Sequence, residues 1–291
     1  MRDGVVRVLT ILSLAGLLLT VVSAQVTSGD PWSQTEARLT ALLAGSSEQK
    51  RSALADIRNI RTEEASRLAV PALSDKVEIV RATAASSVIS LPDDEAARVL
   101  LPMLDDKQPF VRREAAYALG KVGNGAATSR LRRTLTGDRD LEVRVAAAIA
   151  IGSIGDRSAM DDLLSILNRR PKEEEEFLRR SAARSIGQIF ELRATGRTET
   201  TPQNFLPPQF KNIDPETIWS SEIDPQQLRR ITVTLSKMLR SREEADDTRR
   251  EAAFALGALR RPGSESLLRS LLNSPDPYLA EISKEALLKF R

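Results

Sequence analysis

From about residue 50 onward, apolar and polar positions recur as one phrase, clearest in residues 110–123, FVRREAAYALGKVG. A basic residue anchors the copies at Lys50, Arg81, Arg112, Arg144, Arg179 and Arg249, and Ala280 takes that place in a degenerate seventh. Three positions after each basic anchor stand Ala53, Ala84, Ala115, Ala147, Ala182 and Ala252. Seven positions after it stand Ile57, Val88, Leu119, Ile151, Ile186 and Leu256. Offsets 0, 3, 4 and 7 lie on one helical face. Each copy therefore predicts a helix whose narrow, alanine-lined seam is closed by one aliphatic side chain. Glycine follows at offset 8 in four copies, at Gly120, Gly152, Gly187 and Gly257, where a missing side chain favours close approach by a neighbour.

A second amphipathic stretch precedes the copies, as at residues 96–104, 160–167, 228–239 and 267–272. Asp93 and Asp94 precede one such stretch, and Asp224 followed by Pro225 offers an N-cap and first-turn proline for another. The anchors are spaced by 31, 31, 32, 35, 70 and 31 residues. A period in the low thirties is that of stacked helix pairs. The expected fold is all-α: an α-solenoid of about seven stacked antiparallel helix pairs over residues 35–291, with one long inserted loop. The 70-residue spacing places that insertion at about 193–224, where Pro202, Pro207, Pro208 and Pro215 interrupt any helical pattern. Phe205, Phe210 and Trp219 make it too apolar for a linker, so it is expected to lie back on the array as a packed or a binding loop. Ala280 and the polar residues around it suit a terminal capping pair.

Asp75, Asp106 and Asp138 each stand six residues before Arg81, Arg112 and Arg144. With the segments DKVEIVRATAASSVISL, DKQPFVRREAAYALGKVG and DRDLEVRVAAAIAIGSIG, the chain resembles the HEAT repeat family, in particular its short bacterial form known from phycobilin lyase subunits. The resemblance implies that these six residues form a structural ladder between adjacent units. It is specific for fold and weak for activity, because the matching residues are structural ones. Glu173 and Glu243 occupy the aspartate offset in the later units, where longer turns leave the ladder open. An iron-dependent hydroxylase also uses related repeats, but it relies on histidine ligands.

The chain has no histidine and no cysteine. That excludes disulfides, thiolate nucleophiles, Cys/His zinc sites and Ser–His or Cys–His catalysis. Neither a cofactor nor a metal is implied. The formal charge is +3, from 43 basic and 40 acidic residues with interleaved signs. No basic stripe of the kind nucleic-acid binders carry is present in the sequence.

Residues 1–24 read as a secretory signal peptide. Arg2 and Arg7 precede the uncharged run VLTILSLAGLLLTVV, and Val22-Ser23-Ala24 sets cleavage before Gln25. The expectation is an exported protein, periplasmic or extracellular, with residues 25–34 as a flexible lead. Membrane attachment is expected only if the apolar segment is retained.

A partner surface is expected on the second helices, which line the usually concave side of such a stack. Offsets 2, 5 and 9 point away from the packed seam at about 100° per residue. They nominate Tyr117, Ile149, Arg184 and Phe254 at offset 5, Glu114 at offset 2 and Lys121 at offset 9. The reading is a non-catalytic scaffold for a protein or peptide. A chromophore-handling or lyase-like factor using Glu114 and Glu251 beside Tyr117 is one alternative, and a membrane-tethered assembly factor is another.

Overall fold

The computed structural model describes residues 31–196 and 223–290. The apolar segment 1–24 and the insertion residues Phe205, Phe210 and Trp219 lie outside the described residues. Within them the chain forms fourteen α-helices in seven antiparallel pairs. The pairs are α1 (Pro31–Leu43) with α2 (Ser47–Ile60), α3 (Glu63–Ala69) with α4 (Glu78–Ser87), and α5 (Asp93–Leu100) with α6 (Pro109–Val122). They continue as α7 (Thr128–Gly137) with α8 (Leu141–Ile154), and α9 (Met160–Leu167) with α10 (Glu176–Thr195). The array ends with α11 (Pro225–Arg240) and α12 (Asp246–Leu259), then α13 (Pro262–Ser270) and α14 (Pro277–Leu288).

Local chemistry sets these limits. Ser46 and Gln49 form a reciprocal capping box at the start of α2. Gly123 and Gly155 close α6 and α8 in left-handed backbone, at φ +75° and +77°. After α3 and α5, Pro71 and Pro102 lack the N–H an α-helix needs, and the chain tightens into short 3₁₀ turns.

Second helices pack on second helices far more extensively than first helices pack on first helices. Helices crowd on the inside of a curve, so α2, α4, α6, α8, α10, α12 and α14 form the inner layer. The alanine seam makes that crowding sterically possible: Ala84, Ala115, Ala147, Ala182 and Ala252 are completely buried. The offset-8 glycines sit at the tightest points. A Cβ on Gly120 would stand 2.7 Å from the Cα of Ala150, and one on Gly152 would stand 2.8 Å from the Cα of Ser185. In each case the neighbour is offset 6 of the next pair.

The array does not break at the insertion. Helix α10 packs directly on α12, as closely as α6 packs on α8. Two boundaries differ from the sequence expectation. Helix α1 begins at Pro31, inside the expected flexible lead, because Trp32 packs against the core. Helix α10 runs to Thr195, into the expected insertion, because Phe190 and Ala194 on its last turns are buried.

A charged ladder runs along the turns. Lys50 Nζ lies 2.6 Å from Asp75. Arg81 grips Asp106 at 2.7 and 2.9 Å, and Arg112 grips Asp138 twice at 2.8 Å. Each arginine also donates to the carbonyl of its own unit's aspartate, at 2.9 Å. Each aspartate in turn accepts a 2.9 Å bond from the backbone N–H two residues on. Later rungs change residues. Arg144 donates to the Leu135 carbonyl and lies 3.7 Å from Glu175, so the acid there is Glu175 and not Glu173. Arg179 takes Glu244 and not Glu243. At the last joint Arg250, and not the anchor Arg249, grips Asp276 at 2.9 and 3.0 Å.

These contacts hold the aspartates below the ordinary carboxylate range. For Asp75 the cause is chiefly the hydrogen bond from Lys50, and for Asp276 the one from Arg250. For Asp106 and Asp138, burial pushes upward, but the bonds from Arg81 or Arg112 and from backbone N–H groups outweigh it. A lowered folded-state value means the stabilisation is complete above about pH 4 and is lost as pH falls through the folded values. The melting temperature is expected to fall as pH drops below about 4, and the Asp106→Asn/Asp138→Asn chain to fall less steeply. Identical acid profiles for the two proteins would refute this role.

Candidate partner-binding surface

The inner helices present one stripe made of offsets −2, 2, 5 and 9, since positions seven apart differ by only about 20°. At offset 5, Tyr117 and Ile149 are half-buried and Arg184 is exposed, its guanidinium 3.0 Å from Glu251. Phe254 is turned into packing: a Cβ on Gly187 would stand 2.5 Å from its ring, and the Lys289 ammonium lies 5.2 Å from the ring centroid. Phe254 therefore belongs to the joint between pairs and not to the open stripe. Glu114 is half-buried and bonded to Arg113, while Lys121 is exposed.

Burial raises the Tyr117 phenol above its ordinary value. Glu251 is buried with Arg184 at 3.0 Å and Arg180 at 3.9 Å. Neither glutamate proposed for acid–base work thus stands free beside Tyr117. Among the described residues no cluster of acidic side chains could hold a metal ion.

Offset −2, which lies outside the offsets nominated from the sequence, carries the most exposed aromatics among the described residues. Phe177 is 66% exposed and Tyr278 is 67% exposed, with half-buried Phe110 in the same register. The Arg113 guanidinium lies 4.9 Å over the Phe110 ring, and that of Arg250 lies 4.9 Å over Tyr278. The signal was present in the sequence, because offset −2 lies one heptad before offset 5.

This geometry has a counterpart among known families. Residues 35–120 and 67–144 match HEAT repeats, and residues 143–169 match the PBS lyase HEAT-like repeat. Residues 35–169 are HEAT repeats. No curated protein matches it in sequence. Among solved structures, an engineered protein is similar at 19% identity and a TM-score of 0.51, over 88% of this chain and 68% of that one. Human deoxyhypusine hydroxylase is similar at 18% identity and a TM-score of 0.39, over 89% of this chain and 96% of that one. The complex of CpcE and CpcF of phycocyanin lyase from Nostoc sp. PCC7120 is similar at 20% identity and 0.39, over 78% and 94%. The first of these shows the solenoid fold and nothing about activity.

In this HEAT array a second feature escaped sequence reasoning. Lys289, at the end of the last pair, reaches Glu191 of the fifth pair at 2.7 Å, and both side chains are about 95% buried. Helix α10, at 20 residues, is six longer than α6, α8 or α12, and Glu191 lies on the added turns. The bond thus spans the sixth pair and ties the seventh pair to the fifth. Beside it, burial lowers the pKa of Arg260, a left-handed cap at φ +51°, while Glu191 acts in the opposite direction. Among the described residues, no helix is long and apolar enough to cross a membrane.

Proposed function

We propose that this protein is an exported, non-catalytic scaffold that binds a protein or peptide segment along its inner helices. The observation that carries the reading is the exposure of Phe177 and Tyr278 on the inner stripe. Large aromatics left open on a rigid, continuous surface are contact residues more often than surface accidents. The arginines of the inner helices, Arg113, Arg180, Arg184 and Arg250, are held in ion pairs and ring contacts. A preordered surface of this kind loses little side-chain freedom when a partner arrives. Tyr117 and Ile149 extend the same stripe toward the N-terminal pairs, with Glu114, Arg184 and Lys121 as polar contacts.

Against a lyase-like role at Tyr117 stands the pairing of Glu114 with Arg113 and of Glu251 with Arg180 and Arg184. Export rests on the order of charge, apolar run and small residues in segment 1–24, and a native chain beginning at Gln25 would support it. The insertion residues Phe205, Phe210 and Trp219, outside the described residues, remain candidates for a recognition loop.

Affinity capture from the cell envelope tests the binding surface. The native array is expected to retain a protein that the Phe177→Ala/Tyr278→Ala/Tyr117→Ala chain loses, while the two keep the same helical content. Equal capture by both would remove the inner stripe as the binding surface.

A further inference from the structure

We propose that the outer face of the array, at the joint between the fifth and sixth pairs, is a second docking surface, for an acidic peptide carrying a bulky aliphatic side chain. Helix α9 has 8 residues and its outer-layer neighbour α11 has 16. The length mismatch opens a cleft of about 330 Å³ beside the C-terminal half of α11. The buried Arg179–Glu244 pair closes its inner end, and Arg169, Arg170 and Lys237 stand along it.

Lys237 also borders a shallower groove of about 720 Å³ that continues over Val233 and Arg240 to Gly263 at the head of α13. The two depressions therefore form one surface. Val233 is 61% exposed in it, and a Cβ on Gly263 would meet nothing within 4 Å, so an aliphatic group has room there.

The charge on this surface is not balanced from within. Among the described residues, the side chains of Arg169, Lys237 and Arg240 have no acidic partner. Of the two glutamates lining the cleft, Glu244 is held by Arg179, and Glu243 lies 3.9 Å from Arg170. Three exposed cations along a cleft and groove in which Val233 stands open complement carboxylates flanking an apolar side chain. A nucleic acid would satisfy the cations but offers nothing for Val233 and the space over Gly263. Neither Phe177 nor Tyr278 lines this surface, so it stands or falls separately from the inner stripe.

The test uses a fluorescein-labelled peptide of alternating glutamate and leucine, a control with serine for leucine, and a single-stranded oligothymidylate. Fluorescence anisotropy is measured with the full chain, with Arg169→Glu/Lys237→Glu, and with Val233→Asp. All three positions are exposed, so melting temperatures are expected to match. The proposal expects saturable binding of the glutamate–leucine peptide tighter than about 1 mM. It expects a loss of about tenfold on charge reversal, a smaller loss for Val233→Asp, and weaker binding of the serine control. No change for Phe177→Ala/Tyr278→Ala is expected. Absence of saturable binding, indifference to charge reversal, or preference for the oligonucleotide would each overturn it.

Discussion

Arg179→Met is expected to lower the unfolding free energy by about 3–5 kcal/mol, the usual cost of stranding one member of a buried ion pair. Arg179 is 2% exposed and is the largest fully buried side chain among the described residues. Its guanidinium donates to the carbonyls of Ile166, Leu167 and Arg169 at 2.9 to 3.1 Å and to both oxygens of Glu244. Methionine would leave a buried carboxylate without its partner and three carbonyls without a donor. The damage falls on one joint. In a stack held by nearest-neighbour contacts, a weakened joint uncouples the units on either side. Denaturant unfolding followed by circular dichroism is expected to show the last two pairs melting first, as a separate transition. A shift below about 1 kcal/mol with one transition would mean that the pair contributes little net stabilisation.

The second large effect is expected at the clasp between Glu191 and Lys289. Glu191→Leu takes the carboxylate away from Lys289 and from the neighbouring, buried Arg260, and a loss of about 3–5 kcal/mol is expected. Lys289→Met is expected to cost less, because Arg260 stays beside the carboxylate. Replacing both, as Glu191→Leu/Lys289→Met, removes the stranded ammonium but still takes the carboxylate from beside Arg260, so only the Lys289 share of the loss is expected to return. Chemical denaturation of the four proteins measures the cycle. A double variant as unstable as the sum of the singles would show that the two residues act independently.

These two sites also mark what the sequence could and could not convey. The anchors, the alanine seam and the offset-8 glycines were legible because fixed spacing places residues on one helical face, whatever the rest of the chain does. The clasp was not legible. Its partners are 98 residues apart, and they meet only because α10 is long enough to pass the sixth pair. The ladder was legible where turns have constant length and shifted where they do not. In the longer turns Glu175 and Glu244 replaced Glu173 and Glu243 by two residues and one. At the last joint the adjacent Arg249 and Arg250 offered two donors, and Asp276, at the N-cap of α14, accepts from the second. Phe177 and Tyr278 follow from the same offset arithmetic that gave Tyr117 and Ile149, extended by one heptad. Phe254 fits the stripe by angle but packs against Gly187 and Lys289, a contact that only the spacing of neighbouring helices decides.

The account depends most on the array running unbroken past the insertion, with α10 seated on α12. A double-mutant cycle on Arg179 and Glu244, using Arg179→Met, Glu244→Leu and the pair together in the full chain, tests that joint directly. The predicted result is a coupling of about 2 kcal/mol or more, the range for residues sharing one buried network. A coupling within about 0.5 kcal/mol of zero would contradict direct stacking of the fifth pair on the sixth, and the continuous inner surface with it.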